Sequence, residues 1–446
     1  MTNAKDLVHE LATRKAVTRL LPVLGIAYFM SYVDRTNVAL AKTALAADIG
    51  LSAAAYGLGA GLFFVSYALL EVPSNLVLYR VGARLWITRI AVTWGAVSAA
   101  MMFVANEWSF YLLRLLLGAA EAGLFPAMMY MVTLWFSQKH RVAVVGLIYT
   151  APCIATIIGS PLGGALMELQ GVGGLHGWQW MFLVEGLVTI LVGAVVWFFL
   201  PGRPADARWL TKDEAAALTE HAVGQNAPSP TKVRGNLRLA FGRSTVLLLA
   251  GIYFINQAIG GGIGFNFPAF IQSLGLDSPF LIGLVAGGGG ITALAGVLFF
   301  PWLKGRIGNE VPLIALCAGA VPFILVGFLL SDSPVWSVGL VFLYNFFAFG
   351  TLPLFWSVAM SRMSGLMAAA GLAFINMVGI TGGFAGPYGY GLVEDATGSL
   401  LAPYYAFAVA AVVAVALVPV LARSIRRDAV GRHDSTPVDQ PTEVLS

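Results

Sequence analysis

The sequence predicts an all-α membrane protein in which twelve transmembrane helices form two six-helix bundles. Of its 446 residues, 58% are hydrophobic and 11% are charged, whereas a soluble domain carries roughly 25% charged residues. Long apolar runs recur along the chain, and a helix needs about 20 such residues to cross a hydrocarbon core of about 30 Å. The runs fall into two sets of six, separated by a segment rich in proline and charge at 201–243.

The apolar runs define the domain boundaries. We predict spans at 19–42, 55–79, 85–105, 108–136, 142–168, 179–200, 244–272, 279–303, 311–331, 334–361, 366–393 and 402–422. The domains are a cytoplasmic N-terminal segment (1–18), the first bundle (19–200), a cytoplasmic linker (201–243), the second bundle (244–424) and a cytoplasmic tail (425–446). In the linker, Thr211 and Glu214 fit a capping box, and the alanine-rich stretch after them indicates a short surface helix. The polar tail after Arg427 is expected to be disordered.

Basic residues predict the orientation of the spans. With both termini in the cytoplasm, one of the 26 lysines and arginines, Lys42, falls in an outside loop, and three, Arg35, Arg89 and Arg114, fall within spans. The other 22 lie in cytoplasmic segments, which is the bias that the positive-inside rule describes. We therefore predict a multi-pass protein of the inner (plasma) membrane with cytoplasmic termini. The net charge of +4 then reflects topology and anionic lipid headgroups, and no nucleic-acid partner is expected.

Other residue types argue against several functions. The polar start of the chain makes a cleaved signal peptide unfavourable. Cys153 and Cys317 lie in spans of different halves, so we expect two small buried side chains without a disulfide. The histidines, His9, His140, His176, His221 and His433, all fall in predicted loops or tails. We therefore predict no metal site, no cofactor and no histidine relay, and we find no paired nucleophile and base that would indicate an enzyme.

Seven charged residues lie inside predicted spans of the first half, and four of them are the main candidates for a functional site. Asp34 and Arg35 are adjacent in the first span, and Arg114 and Glu121 lie in the fourth. A charge at bilayer depth costs roughly 2.5–3.5 kcal/mol on insertion scales, so such residues face protein or a water-filled cavity. With a rise of about 1.5 Å per residue, Arg35 and Arg114 lie at similar depth and could share one anion, and Glu121 lies two turns from Arg114 on nearly the same face. Arginine binds carboxylates through paired hydrogen bonds, and a carboxylate beside it can change protonation as a substrate arrives.

A fixed ion pair that holds helices in register is the alternative interpretation of these four residues, and it is the favoured one for Glu71, Arg89 and Glu185. The apolar runs between Ser244 and Tyr404 contain no charged residue and no histidine. They contain neutral polar and aromatic side chains, which could contact the hydroxyls or an aromatic ring of a ligand. The alternative is that they form hydrogen bonds between helices. These residues are Tyr253, Asn256, Gln257, Asn345, Trp356 and Asn376. Glycine and proline recur at 159–164 and 385–391, where helices either line a central pathway or simply pack closely.

Four blocks of sequence resemble the anion:cation symporters of the major facilitator superfamily. The blocks are Tyr32–Ala39, Glu71–Asn75, Arg114–Pro126 and Trp180–Gly186, within a match from about Arg19 to Arg423. That family includes bacterial carriers for galactonate, glucarate, tartrate, phthalate and hydroxyphenylacetate. The stretch Tyr79–Arg84 departs from the superfamily pattern because it lacks the usual aspartate.

The resemblance implies a role for each site residue. It implies that Asp34 and Glu121 carry protons, and that Arg35 and Arg114 hold or gate the substrate anion. Substrate contacts are implied for Tyr67, Trp356 and Asn376, and the fold generally works as a monomer.

We predict proton-coupled uptake of a small organic carboxylate, such as a sugar acid, tartrate or an aromatic acid, by alternating access. The expected partners are the organic anion, protons and the lipid bilayer. An anion uniporter or exchanger on the same fold stays open, and a membrane carboxylate sensor is less favoured because the chain carries no sizeable soluble output domain.

Overall fold

The computed structural model describes residues 4–223, 244–362 and 365–433, and in these ranges it contains helices and no strands. The helices are α1 (Ala4–Ile49), α2 (Ala53–Val81), α3 (Ala83–Ala100), α4 (Glu107–Glu121), α5 (Leu124–Trp135), α6 (Gln138–Ile148), α7 (Thr150–Met167), α8 (Gly177–Phe199), α9 (Lys212–Val223), α10 (Ser244–Ser273), α11 (Pro279–Ile307), α12 (Val311–Leu329), α13 (Pro334–Arg362), α14 (Gly365–Thr397) and α15 (Ala402–His433).

The helices account for the predicted spans. Eleven segments of the described chain are long and apolar enough to cross a membrane, and two of them, Glu107–Trp135 and Lys139–Met167, each combine two helices. The predicted span at 366–393 corresponds to α14, a helix of 33 residues that packs along α2 and α10.

The fourth span is broken directly after Glu121. Ala122 leaves helical geometry, and Gly123 adopts a left-handed conformation with φ of 94° before α5 begins. A Cβ atom at Gly123 would lie 2.0 Å from the hydroxyl oxygen of Ser74, so a side chain is excluded on both conformational and steric grounds. The Ser74 hydroxyl donates a hydrogen bond to the carbonyl of Ala122 at 2.7 Å and so satisfies part of the broken backbone. This break fixes the position of Glu121 at the end of α4.

The two halves meet through close glycine contacts, where α2 packs on α14 and α7 packs on α11. A Cβ on Gly57 would lie 2.3 Å from the carbonyl oxygen of Pro387, and one on Gly164 would lie 2.2 Å from that of Pro279. Small residues let membrane helices approach at this distance. The two glycine-proline stretches that the sequence singled out therefore serve close packing, including the packing between the halves.

The ends of the bundle are distinguished by their connections. The linker end carries residues 4–18 and α9, and the distal end carries the connections at 50–52, 168–176 and 274–278. At the linker end, the predicted capping box is confirmed, because Thr211 and Glu214 exchange side-chain and backbone hydrogen bonds. The predicted free and buried state of Cys153 and Cys317 is also confirmed.

Two predictions about the linker end are wrong. Four histidines expected in loops or tails lie in helices: His9 in α1, His140 in α6, His221 in α9 and His433 at the end of α15. The His9 ring stacks on that of His221 at 4.0 Å between centroids. His9 is helical because α1 begins well before the predicted span, and Ala12 and Ala16 in this early part of α1 are fully buried. In the same way, α15 continues to His433, so the first residues of the expected disordered tail are helical; residues 434–446 and the linker residues 224–243 lie outside the described residues.

Candidate functional site

Arg35 and Glu121 form an ion pair between α1 and α4. The Nη2 atom of Arg35 donates to Oε1 of Glu121 at 2.7 Å. The Arg35 side chain is 20% exposed and that of Glu121 is 1% exposed, so the arginine is the member that reaches accessible space. Nε of Arg35 and Oε2 of Glu121 have no hydrogen-bond partner among the described residues. The pair thus retains donor and acceptor capacity that a carboxylate ligand or a proton can use.

Aromatic rings surround the Arg35 guanidinium. Its central carbon lies 4.6 Å from the ring centroid of Tyr32, 5.2 Å from Phe63, 6.0 Å from Phe64 and 5.9 Å from Tyr67. Aromatic faces attract a cation within about 6 Å of their centroids. Tyr67, which the sequence placed among the substrate contacts, therefore lies beside Arg35, and the rings position the guanidinium while leaving its donors available.

Arg114 occupies a different environment from Arg35. It is fully buried, and its guanidinium donates to the carbonyls of Gly59 at 3.2 Å and Ala60 at 3.1 Å on α2. The ring of Phe63 lies 4.9 Å from it and also contacts Arg35. In this conformation Arg114 ties α4 to α2 and, being fully buried, is not accessible to an anion.

Asp34 points away from Arg35 toward α3. It is buried and accepts a short hydrogen bond from the Ser98 hydroxyl, while its Oδ2 atom has no hydrogen-bond partner among the described residues. Adjacent residues on a helix point about 100° apart, and this explains why the neighbouring charges serve separate surroundings. Asp34 is therefore a carboxyl group with a single hydroxyl donor and no direct basic partner in the described chain.

Glu185 on α8 does not form the ion pair that the sequence favoured for it. The residue is 7% exposed, and both carboxylate oxygens lack a hydrogen-bond partner in the ranges the structure covers. It lies close enough to Asp34 to interact with it electrostatically. A buried carboxyl without a cation is far cheaper to keep protonated than ionised. Arg89 does not form an ion pair among the described residues either, and its guanidinium lies over the Trp86 ring at 4.0 Å.

The second half contributes aromatic and amide groups. Trp356 on α13 and Asn376 on α14 are half-buried. The Trp356 ring meets that of Tyr253 on α10 edge-on at 5.4 Å, and Tyr253 in turn lies within electrostatic range of Tyr149 and Arg35 in the first half. The sequence noted Tyr253 as a polar group but did not include it in the site. A Cβ on Gly379 would lie 1.9 Å from the Tyr253 ring, so this glycine makes the room that the ring occupies.

A second ion pair, which sequence reasoning missed, joins the halves at the distal end. Lys42 was expected in an outside loop, yet it lies within α1 and is 6% exposed. Its Nζ atom donates to Glu394 at 2.5 Å and to Asn266 at 2.7 Å. The helix α14 continues past the predicted span end at 393 to Thr397 and so carries Glu394. The available signal was that Lys42 is the one basic residue that the positive-inside pattern left on the outside.

A two-bundle helical membrane protein with charged residues buried beside an accessible arginine belongs to the class of membrane transporters. The Major Facilitator Superfamily model matches residues 24–387, and the chain belongs to this superfamily. This finding confirms the resemblance drawn from the four sequence blocks, and with it the all-α fold of two six-helix bundles.

The relatives carry transporter names. A protein of Agrobacterium vitis, named as a candidate tartrate transporter, is 38% identical over 92% of this chain and 94% of its own. A quinolone resistance transporter of Acinetobacter baumannii is 38% identical over 88% of this chain and 90% of its own. The inner membrane transport protein RhmT of Escherichia coli is 36% identical over 84% of this chain and 86% of its own. These relatives are transporters and not enzymes, as the sequence predicted for this chain.

A solved structure has the same fold. The crystal structure of a bacterial homolog of the human lysosomal transporter Spinster, in an inward-facing and unoccupied conformation, matches with a TM-score of 0.76. The match covers 93% of this chain and 98% of that chain at 18% sequence identity. At this identity the likeness concerns the arrangement of helices alone.

Proposed function

We propose that the protein imports a small organic carboxylate together with protons across the inner membrane, with its termini and linker in the cytoplasm. The observation that carries this proposal is the Arg35–Glu121 pair, 2.7 Å apart, in which the arginine is partly exposed and the glutamate is buried. The names of the relatives from Agrobacterium vitis and Escherichia coli support an organic anion and an inner-membrane location.

The pair provides a direct way to couple a proton to an anion. While Glu121 is ionised, it neutralises Arg35, and a substrate carboxylate would add a second negative charge beside the same guanidinium. Protonation of Glu121 removes this competition, so that Arg35 can donate its charge-assisted hydrogen bonds to the substrate. Since coupling between two binding sites is reciprocal, the bound anion in turn favours the protonated glutamate. Release of the anion on the other side of the membrane returns the proton and restores the ion pair.

Asp34 is the second proton carrier in this proposal, and Arg114 orders the helices around the site and gates the anion. Tyr67, Trp356 and Asn376 contact the body of the substrate, and the carrier acts as a monomer. If two protons accompany a monoanion, one net positive charge enters per cycle, and the membrane potential contributes about 2.3 kcal/mol per 100 mV. A dianion makes the same cycle electroneutral.

Uptake of labelled tartrate by proteoliposomes tests the coupling. With an acidic exterior, the protein should accumulate tartrate above its external concentration, and a protonophore should abolish the accumulation. A Glu121→Gln variant should lose the dependence on the pH gradient. Glu107→Gln is the matched control, since Glu107 lies on the same helix but is exposed, and it should keep the dependence. Equal uptake with and without the gradient would reject proton coupling and leave a uniporter or exchanger, which shows counterflow without net accumulation.

A proton-driven exporter is the second candidate, because one relative is named as a quinolone resistance transporter and quinolones are aromatic carboxylates. The two mechanisms differ in the side on which acid is needed. A symporter accumulates substrate when acid and substrate are applied on the same side, whereas an antiporter requires them on opposite sides. Uptake of tartrate and of a fluorescent quinolone under both gradients therefore separates import from export.

A further inference from the structure

We infer that the distal end holds a separate anion-capture site centred on Lys42, where an incoming carboxylate replaces Glu394 and releases the closed contact between the two halves. Lys42 lies seven residues after Arg35, which places it two turns away on nearly the same face of α1, about 10 Å along the axis. The inference goes beyond the proposed function, because it assigns a second site and a trigger for opening.

Lys42 is held by the second half of the molecule. Its side chain is 7% exposed and that of Glu394 is 17% exposed, so both members of the pair are largely shielded from water. The amide oxygen of Asn266 on α10 accepts a second hydrogen bond, and the ring of Tyr390 lies 5.2 Å from the ammonium. Removing one partner from a buried pair leaves an uncompensated charge. The closed arrangement therefore depends on Glu394, and any replacement for it must also be an anion.

Neighbouring contacts show that this end is closed between the halves. Thr43 on α1 donates to the side-chain oxygen of Gln272 on α10 at 2.5 Å. Asp395 on α14 accepts from the backbone amides of Ala53 and Ala54 at the start of α2, at 3.0 and 2.9 Å. The Tyr56 hydroxyl lies 3.0 Å from the carbonyl of Phe265, to which it donates. All these contacts must separate for the distal end to open, and the buried ion pair is the strongest charge interaction among them.

A cavity gives an anion access to the pair. It has a volume of about 320 Å³, at the lower end of the range of about 300–1,000 Å³ for small-molecule pockets. Its polar lining includes Lys42, Thr43, Ser52, Tyr56, Gln272 and Glu394. One cation surrounded by hydroxyl and amide groups suits a small carboxylate that carries hydroxyls of its own. The Lys42 site therefore favours small carboxylates, the same class of ligand that Arg35 binds, and a substrate meets it before it reaches Arg35.

Exchange of anions on Lys42 links capture to opening. When a substrate carboxylate bonds to the ammonium, Glu394 loses its partner and becomes stable only in water, and separation of α14 from α1 supplies that water. A ligand shifts such an equilibrium by its preference for one state over the other. The captured anion favours the open distal end because there it no longer shares Lys42 with a second negative charge.

Cysteine labelling measures the opening. In a Cys153→Ala, Cys317→Ala background, an Ala39→Cys reporter lies one turn from Lys42 toward Arg35 and is buried. Its labelling by a membrane-impermeant maleimide is measured in right-side-out and inverted membrane vesicles. An exposed Ala47→Cys marker identifies the vesicles in which the distal end is accessible and normalises the rates. The labelling rate therefore reports the opening of the distal end in either orientation of the protein in the membrane.

Breaking the pair should speed labelling of the reporter. We expect Lys42→Gln and Glu394→Gln each to raise the rate roughly tenfold, within the usual range of coupling between sites, and the exchanged pair Lys42→Glu, Glu394→Lys to restore a slow rate. Lys304→Gln is the matched control, because Lys304 and Glu310 form a 2.9 Å ion pair within the second half, and it should leave the rate unchanged. Wild-type rates in both Lys42→Gln and Glu394→Gln would overturn the gating role.

Tartrate and galactonate test the capture site. Each should speed labelling in the protein with an intact pair, whereas the uncharged tetrol erythritol should not. The acceleration should persist in Arg35→Gln, which disables the central site, and should be lost in Lys42→Gln. Glu394→Gln, which keeps the lysine without its competitor, should lower the half-maximal tartrate concentration. The inference is overturned if neither anion accelerates labelling, if Lys42→Gln responds fully, or if Arg35→Gln abolishes the response. Failure of proton-driven uptake with an intact labelling response would instead reject the proposed function alone.

Discussion

The two halves of the bundle share a helical architecture but divide the chemistry unequally. The first half buries Asp34, Arg114, Glu121 and Glu185 in its spans, while the second half places Tyr253 within electrostatic range of Arg35. Moving a charge through hydrocarbon is costly. In a carrier that keeps its charged residues in one half, the uncharged spans of the other half can move relative to them. The change of access then moves only the charges of the substrate and protons across the membrane. The distal pair is the exception, and there each half supplies one charge.

The largest expected effect comes from removing the accessible charge of the first half. Arg35→Gln should lower tartrate uptake roughly 100-fold, since a charge-assisted hydrogen bond is worth about 1.5–3 kcal/mol and Glu121 loses its partner. Arg35→Lys keeps the charge but not the paired donors, and it should retain a measurable part of the activity. Initial uptake rates, corrected for the amount of folded protein in the membrane, provide the measurement. Near-normal uptake by Arg35→Gln would show that Arg35 does not hold the anion.

A smaller effect is expected from removing an aromatic side chain of the second half. Trp356→Ala should raise KM for tartrate roughly tenfold, because it removes a large contact surface and the ring that supports Tyr253. The dependence of uptake on the pH gradient should not change, since no charge is lost. Uptake measured over a range of tartrate concentrations, at two imposed gradients, separates these effects. A changed proton dependence in this variant would show that the second half shares in the coupling.

Substitution of Glu185 tests whether every buried carboxyl group of the first half takes part in proton coupling. Glu185→Gln should leave uptake within about twofold of normal, because neither carboxylate oxygen of Glu185 has a hydrogen-bond partner among the described residues and glutamine has nearly the shape of glutamate. Glu121→Gln, measured beside it, should lose gradient-driven accumulation. A loss of coupling in Glu185→Gln would instead make Glu185 a third proton carrier, acting through its neighbour Asp34.

The smallest effect is expected at the linker end, outside the spans. A hydrogen bond from Lys15 to Glu214, 2.6 Å long, is the largest cause that lowers the pKa of that glutamate below its ordinary value, and the Thr211 backbone adds to it. A lowered carboxyl pKa stabilises the folded state above the ordinary pKa, and this contribution is lost as the pH falls through the lowered value. Lys15→Gln should therefore lower the thermal unfolding midpoint slightly at pH 7, by at most about 2 °C, and the difference should vanish in acid.

Transport should be unaffected by Lys15→Gln, because Lys15 and Glu214 take no part in the Arg35–Glu121 and Lys42–Glu394 pairs. Thermal unfolding of the purified protein at several pH values, together with uptake assays, checks both points. A marked loss of uptake would connect α9 to the transport cycle.

Features that depend on local chemistry could be predicted from the amino-acid sequence alone. The number of spans, their division into halves and the capping box at Thr211 follow from hydropathy and from patterns a few residues long. The importance of Asp34, Arg35, Arg114 and Glu121 follows from the energetic cost of charge in a bilayer, which requires no knowledge of their neighbours.

Which of these charged side chains pair with one another depends on how the helices pack, and the sequence does not show this. Depth along a helix can be counted from the sequence, but the rotation of each helix about its axis is set by packing against others. Arg35 therefore pairs with Glu121, while Arg114 bonds to the backbone of α2. The pair of Lys42 and Glu394 joins residues 352 positions apart, and each lies at the margin of a hydrophobic run, where composition alone does not define how far a helix continues. The Lys42–Glu394 contact exists only once the two halves have assembled, because neither half contains both partners.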